Sequence, residues 1–353
     1  MILRTNGTSR KNDAIFLVCA FLLLGSLSAF RYSVGTDYSF VYAPSFEEVL
    51  ADPVGFGFSD SRFEPGFILL EKVIAYFFQN YQMLFIVTGY LSIGLFMFCY
   101  WKYSSDVVLS VLLFLLLSEF YCTMNFMRQS LAGVIALFAL HFIKKRKFLP
   151  FLIFIILAAM FHKSAILLIP IFFLCMIPFN WITLAGYAIV TVVLYFNTQR
   201  IMAFVTQYWY SSYSSYNIHV MSTFEWPFTI AMFVEFLIVL CGIKKLKADN
   251  PENNTYLHYA FLAFFFTLMG TRHSILDRLS LYFEFAFPLS IPLVYRLFRQ
   301  DFYSWKNVLS KHGTKTQRQK AGIVSGLLVL IFGGGLAIHQ YALYMDHHGV
   351  VPY

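Results

Sequence analysis

Three polar islands interrupt long apolar stretches in this chain of 353 residues. The first is Asn125, Arg128 and Gln129, which at i, i+3 and i+4 share one helix face. A guanidinium there is a planar fork matched to phosphate oxygens, or else a side chain snorkelling to lipid headgroups. The second is His162–Lys163, which breaks an otherwise continuous apolar run from 148 to 179. A tight turn between two spans explains a polar pair but not a histidine in particular. A neutral imidazole near pH 7 can take a proton from a hydroxyl. The third is Thr271-Arg272-His273 with Asp277-Arg278, and Tyr282 lies one turn beyond Arg278 on the same face. Arg272, Arg278, Arg128 and Lys163 together suit a pyrophosphate; the plainer alternative is an Asp277–Arg278 surface pair worth little. Asp37 and Glu64, in the long polar segment 31–65, are rival acceptors for a hydroxyl proton.

Other chemistries leave no trace. There is no Walker A pattern, no HExxH, no CxxC and no DxD tripeptide. That disfavours an ATP-driven pump and a soluble nucleotide-sugar donor, and nothing visible calls for a metal or cofactor. The five cysteines sit in or beside apolar runs and read as small core side chains.

The elements that must position these residues are membrane helices. Hydrophobic residues make up 59% of the chain and charged ones only 12%, so a soluble fold of this size has no way to hide the apolar surface. The expected class is all-α, a polytopic integral membrane protein forming a single domain over 1–353. About eleven spans are expected, near 14–30, 83–101, 106–123, 126–143, 148–161, 164–179, 181–196, 226–243, 256–270, 279–298 and 321–341. Segment 66–80 is apolar but carries Glu71 and Lys72, and reads as an amphipathic helix at the membrane surface or a re-entrant one. With the N-terminus in the cytoplasm, 17 of the 26 Lys and Arg fall in inside segments, including the basic runs at 144–147 and 244–247. That bias sets the orientation and explains the net charge of +8 better than nucleic acid does. The outer side then holds the long segments 31–82 and 197–225, the third island in 271–278, and the first two islands in the short junctions 125–129 and 161–164. Glu119, Glu235, Glu284, His141 and His258 fall within spans and are expected to face the interior.

Several blocks in this frame resemble the EpsG family, which is similar to the Wzy-type polysaccharide polymerases. They are Val34-Gly35-Thr36-Asp37-Tyr38, then Glu64-Pro65-Gly66-Phe67, then Asn125 through Ala132. Ala158 through Ala165, around His162, and Asp277 through Phe283 continue the pattern, and the Pro352-Tyr353 end also fits. Each block is weak alone; their order and spacing carry the likeness over about 14–353. Lys163 departs from the small or polar residue the family more often shows there.

The resemblance implies a membrane glycosyltransferase of GT-C-like architecture in a bacterial plasma (inner) membrane. It would polymerise polyprenyl-pyrophosphate-linked oligosaccharide repeat units on the outer face into an O-antigen, capsule or exopolysaccharide. No cofactor is implied. A chain-length regulator and a flippase of the same pathway are the implied partners besides the lipid-linked glycan and the bilayer. On that reading Arg128, Arg272 and Arg278 contact the donor pyrophosphate and His162 takes the acceptor proton, with Asp37 and Glu64 as rivals. Asn125, Gln129, Lys163, His273, Asp277 and Tyr282 line the substrate. Competing readings are a flippase or transporter of the same lipid, an O-antigen ligase or membrane acyltransferase, and a non-catalytic scaffold.

Overall fold

The computed structural model describes residues 7–35, 37–59, 61–208 and 225–312, and every regular element among them is helical. Helix α1 (Gly7–Ala29) is followed by a single π-turn at Tyr38–Tyr42 and by α2 (Ala43–Ala51). Next come α3 (Pro65–Phe77), α4 (Gln82–Tyr103), α5 (Val107–Leu116), α6 (Glu119–Asn125), α7 (Met127–Lys144) and α8 (Phe148–Ala159). A 3₁₀ turn, Lys163–Leu168, leads into α9 (Ile169–Leu174). Then follow α10 (Trp181–Tyr208), α11 (Glu225–Cys241), α12 (Ile243–Asp249), α13 (Asn254–Gly270), α14 (Ser274–Glu284) and α15 (Phe287–His312).

Among the described residues three helices are long and apolar enough to cross a membrane by themselves. They are α1 over Lys11–Ala29, α4, and α10 over Trp181–Phe204. The count reaches six if each of three bent pairs is one span: α5 with α6, α11 with α12, and α14 with α15. Among the described residues the helices thus give three to six candidate crossings against the ten expected there. Ser118, in the left-handed region at φ 71°, breaks the 106–123 segment, and α5 and α6 diverge by 57°. Segments 148–161 and 164–179 become α8 and a 3₁₀ turn running into α9, too short for separate crossings. The 181–196 helix continues to Tyr208, and Lys244-Lys245-Leu246-Lys247 lies on α12 rather than in a loop. The Tyr/Ser-rich run beyond Tyr208, the 321–341 span and the Pro352-Tyr353 end fall outside the described residues.

Among the described residues the chain packs as two compact units, one built on 7–173 with 288–293, the other on 174–287 with 294–312. In the first, α1 lies against α4, α4 against α7, and α7 against α8. The α1–α4 approach depends on Gly89, whose absent Cβ would stand 2.9 Å from the Ala29 backbone nitrogen. The α7–α8 connection is the basic run itself, turned tightly with Arg146 at φ 53°. Helices α2 and α3 cover one end with an aromatic core of Tyr42, Phe46, Phe63 and Phe67 over Leu84, Phe85 and Met127.

Segment 66–80 is largely α3, a helix with two contrasting faces. Helix α3 does leave Leu69, Val73, Tyr76 and Phe77 exposed, but Glu71 is fully buried. Lys72 points the other way and caps the carbonyls of Val54, at 3.2 Å, and Phe56.

In the second unit α13 packs on α11 and α14. Gly270 lets the α13–α14 turn close, since a Cβ there would lie 2.6 Å from Asp277 Cβ. Buried His258 is fully partnered: Tyr187 Oη lies 2.6 Å from Nδ1 and Ile177 O lies 2.8 Å from Nε2. Glu119 and Glu235 are buried as expected, Glu284 is half-buried with Ser280 Oγ on its carboxylate, and His141 stacks at 5.2 Å on Tyr103. Helix α10 leaves Ile182, Ile189, Val193 and Phe196 exposed, an apolar surface suited to acyl chains.

A bulky residue at Gly89 has to push α1 off α4, whereas Gly186 on α10 has nothing within 4 Å of its Cβ position. Gly89→Val is therefore expected to cut the yield of monodisperse protein extracted in detergent, and Gly186→Val to leave it unchanged. Equal yields would refute the close α1–α4 contact.

Candidate functional site

Glu64 is the residue on which the first unit's polar groups converge. It is the N-cap of α3, in extended backbone at φ −75°, ψ 150°, and Pro65 at the first helical position starts the helix. Gly66 then sets where this corner sits. Its N–H donates to Met160 O at 2.8 Å, and a Cβ would stand only 2.7 Å from that oxygen. A glycine is needed for this approach. It lays Glu64 against the turn Met160-Phe161-His162-Lys163.

The carboxylate is 7% exposed and well used. Oε1 accepts the Lys163 backbone N–H at 3.0 Å, and His162 Nδ1 lies 3.3 Å from the same oxygen. Oε2 accepts from the Arg128 guanidinium. Burial by itself would raise the Glu64 pKa. The imidazole beside it, the Arg128 charge and the Lys163 N–H outweigh burial and hold it down at about 2. The side chains of Arg128 and His162 keep roughly a fifth of their surface open, 18% and 20%, so both reach the site's edge.

Arg128 is positioned from three more sides. Its guanidinium carbon lies 4.1 Å from the Phe63 ring centroid, a cation–π contact. Its backbone N–H meets the Tyr42 hydroxyl at 3.5 Å. It opens α7 directly after the break at Phe126 (φ −94°, ψ 54°), where α6 ends. Arg31 ties that break to the end of α1. Its guanidinium donates to Ser28 O and, at 3.3 Å, to Met124 O, and lies 5.0 Å over Phe85.

Asp37 and Asn125 are brought together by backbone rather than by charge: the Asp37 N–H donates to Asn125 Oδ1 at 3.2 Å. Gly35, at φ 93°, permits this docking, its Cβ position 3.3 Å from the same oxygen.

The EpsG family model matches residues 14–309. The chain belongs to the EpsG family, a family of Wzy-type polysaccharide polymerases. No curated protein and no solved structure matches the chain. The EpsG match contains every candidate site residue and stops short of Pro352-Tyr353.

Within this EpsG-family chain, Glu64, Arg128 and His162 form one cluster. Lys163 contributes its backbone N–H to the Glu64 carboxylate, and its side chain is exposed. Gln129 is buried on α7 beside Arg128. The remaining candidates belong to the second unit. There Arg272 lies 5.3 Å over the Tyr195 ring, and buried His273 is the N-cap of α14. Asp277 and Arg278 are exposed on the first turns of α14, whereas Tyr282 is buried, so the stripe expected to join Arg278 to Tyr282 runs from surface to core. Tyr42, Phe63 and Glu71 were not singled out as site residues. Glu71 did carry a signal, since it lies at i+7 from Glu64 and so on the same helical face.

Removing one member of a buried pair strands the other charge, so Glu64→Ala is expected to cost about 3 kcal/mol of stability. Adding Arg128→Met should restore part of that loss in thermal unfolding in detergent; purely additive losses would show the pair to be uncoupled. Because the Glu64 pKa is depressed, its contribution is complete above the ordinary carboxylate value of 4.5 and is lost as pH falls toward 2. Acid titration of wild type against Glu64→Gln should show their stabilities converge in that window.

Proposed function

We propose that the protein polymerises polyprenyl-pyrophosphate-linked oligosaccharide repeat units on the outer face of a bacterial plasma membrane. It is a multi-pass protein there, with its N-terminus in the cytoplasm. The observation that carries this reading is one cluster, inside the EpsG match, in which a single carboxylate accepts from a guanidinium suited to phosphate and lies 3.3 Å from a histidine Nδ1. Transfer breaks the bond from the anomeric carbon to the pyrophosphate oxygen and forms a glycosidic bond to an acceptor hydroxyl oxygen. The hydroxyl proton leaves to a base, and the pyrophosphate departs with the bonding electron pair. The pyrophosphate linkage supplies the energy, so no nucleotide is needed.

Arg128 is the group for the departing charge. A guanidinium has five N–H donors, and only one edge is engaged by Glu64. The outer N–H groups that Glu64 does not take are assigned to phosphate oxygens, with the Tyr42 hydroxyl beside the guanidinium and the Phe63 ring keeping its plane oriented. His162 is the base. A Glu64 oxygen beside Nδ1 favours the tautomer with the proton on Nδ1, which leaves the Nε2 lone pair for the acceptor hydroxyl. Glu64 itself is too weak a base at a pKa of about 2, so we assign it to orienting His162 and stabilising the imidazolium. Asp37 is the rival base. Asn125, which ends α6, and Gln129, next to Arg128 on α7, are assigned to the substrate. Arg272, His273, Asp277, Arg278 and Tyr282 are assigned to the substrate by the second unit's sequence alone. A chain-length regulator and a flippase of the same pathway are the proposed partners.

Deleting the gene in its host should leave single repeat units on the surface or on the carrier lipid, read by gel and mass spectrometry. Complementation with Arg128→Ala or His162→Ala should fail to restore long polymer although the protein inserts normally. Asp37→Asn should restore it. Normal polymer from Arg128→Ala would remove the phosphate role. An unchanged length profile on deletion would redirect the assignment to flippase, ligase, acyltransferase or scaffold.

A further inference from the structure

Two turns along α3 from Glu64, on the same face, sits Glu71. It is 0% exposed, and neither of its carboxyl oxygens has a hydrogen-bond partner among the described residues. A carboxyl taken wholly out of water without a partner is costly to keep, and in a folded protein it calls for an explanation. The charged groups that face it are Arg128 from α7 and Glu48 from α2. Arg128 has a matching deficit: its Nε–H is buried and unpartnered while its outer nitrogen is held by Glu64. One arrangement thus leaves a spare N–H donor on α7 and an unpartnered carboxyl on α3 within electrostatic reach of each other. A guanidinium that turned away from Glu64 could give its Nε–H to the Glu71 carbonyl oxygen.

We propose that Glu71 is a positioning residue of this site, a neutral hydrogen-bond acceptor that takes the Arg128 Nε–H when the guanidinium leaves Glu64 for a substrate phosphate. The proposal rests on the reading of Arg128 as the phosphate ligand given above. Its consequence is a coupling between the two halves of the reaction. Once Arg128 has gone to the phosphate, the Glu64 carboxylate is shared only by His162 and the Lys163 N–H. The imidazolium that forms on taking the acceptor proton then faces an uncompensated negative charge. The base is strengthened when the donor is in place, and not before.

Neutrality matters to this role. Burial pushes the Glu71 pKa up to about 8; the Arg128 charge opposes that rise and Glu48 adds to it. At neutral pH the carboxyl is therefore protonated. Its carbonyl oxygen still accepts an N–H, and Arg128 keeps its full charge for the phosphate. Above about pH 8 Glu71 ionises, becomes a competing counter-ion, and weakens the hold on the phosphate.

The test uses the full chain in nanodiscs of zwitterionic lipid, with a polyprenyl diphosphate as probe. Wild type is expected to lose about tenfold in affinity between pH 7 and pH 9, the equivalent of one pKa unit of interaction. Glu71→Gln, a neutral acceptor, should keep the pH 7 affinity and abolish the loss. Glu71→Leu should bind about tenfold more weakly at pH 7, where the acceptor is missing. If Glu71→Leu fails to elute as a monodisperse species, the Glu71→Gln pH profile alone decides. A pH loss that persists in Glu71→Gln, or one absent from wild type, would overturn the proposal. Arg128→Ala separates the two claims. Wild-type binding by that variant would overturn the phosphate reading itself, whereas weak binding by it alongside a pH-independent wild type would overturn only the role of Glu71.

Discussion

A single carboxylate placed where water barely reaches organises the first unit. Glu64 has to be compensated from every side, because an ionised group at 7% exposure is tolerable only when paired and hydrogen-bonded. Two segments distant in sequence meet that demand: the start of α7 through Arg128, and the turn after α8 through His162 and the Lys163 N–H. The corner Glu64-Pro65-Gly66 makes the meeting possible, since only a residue without Cβ lets α3 rest on the Met160 backbone. Those helix ends are thereby held in register by the same group that orients the candidate base.

The arrangement also shows how an apolar fold stores polar chemistry. Around the cluster the packing is aromatic, with Phe63, Phe67 and Tyr42 stacked edge to face or tilted at ring separations of 5.5 to 6.0 Å. Rings of this kind hold shape and lower the local dielectric, which strengthens the ion pair they enclose. The same surroundings leave Glu71 without a counter-charge of its own. Two carboxyls on one helix face are pushed in opposite directions, one ionised and one neutral, by whether or not a cation touches them. Such divergence is how a protein obtains different proton chemistry from identical side chains.

Much of this was legible in the residues. An apolar majority with few charges requires a membrane fold, and helices are the natural way to satisfy a backbone there. Arg128 and His162 stood out because polar residues inside apolar runs have few reasons to exist. Segment boundaries were less legible. Hydropathy records where apolar residues are, and it does not see a left-handed Ser118, a helix continuing through Lys244–Lys247, or a run divided between α8 and a 3₁₀ turn.

The sequence by itself determined the class of fold, the family and the residue types of the candidate site, because composition and local spacing carry those directly. Only the tertiary structure decided who partners whom. It set Glu64 between the Arg128 guanidinium and the His162 ring, with the Lys163 backbone N–H on the same carboxylate. It also buried Glu71 within electrostatic reach of Arg128. The physical reason is that charge state and hydrogen bonding depend on groups within a few ångströms. Those groups come from positions about 60 to 100 residues apart, which no local pattern records.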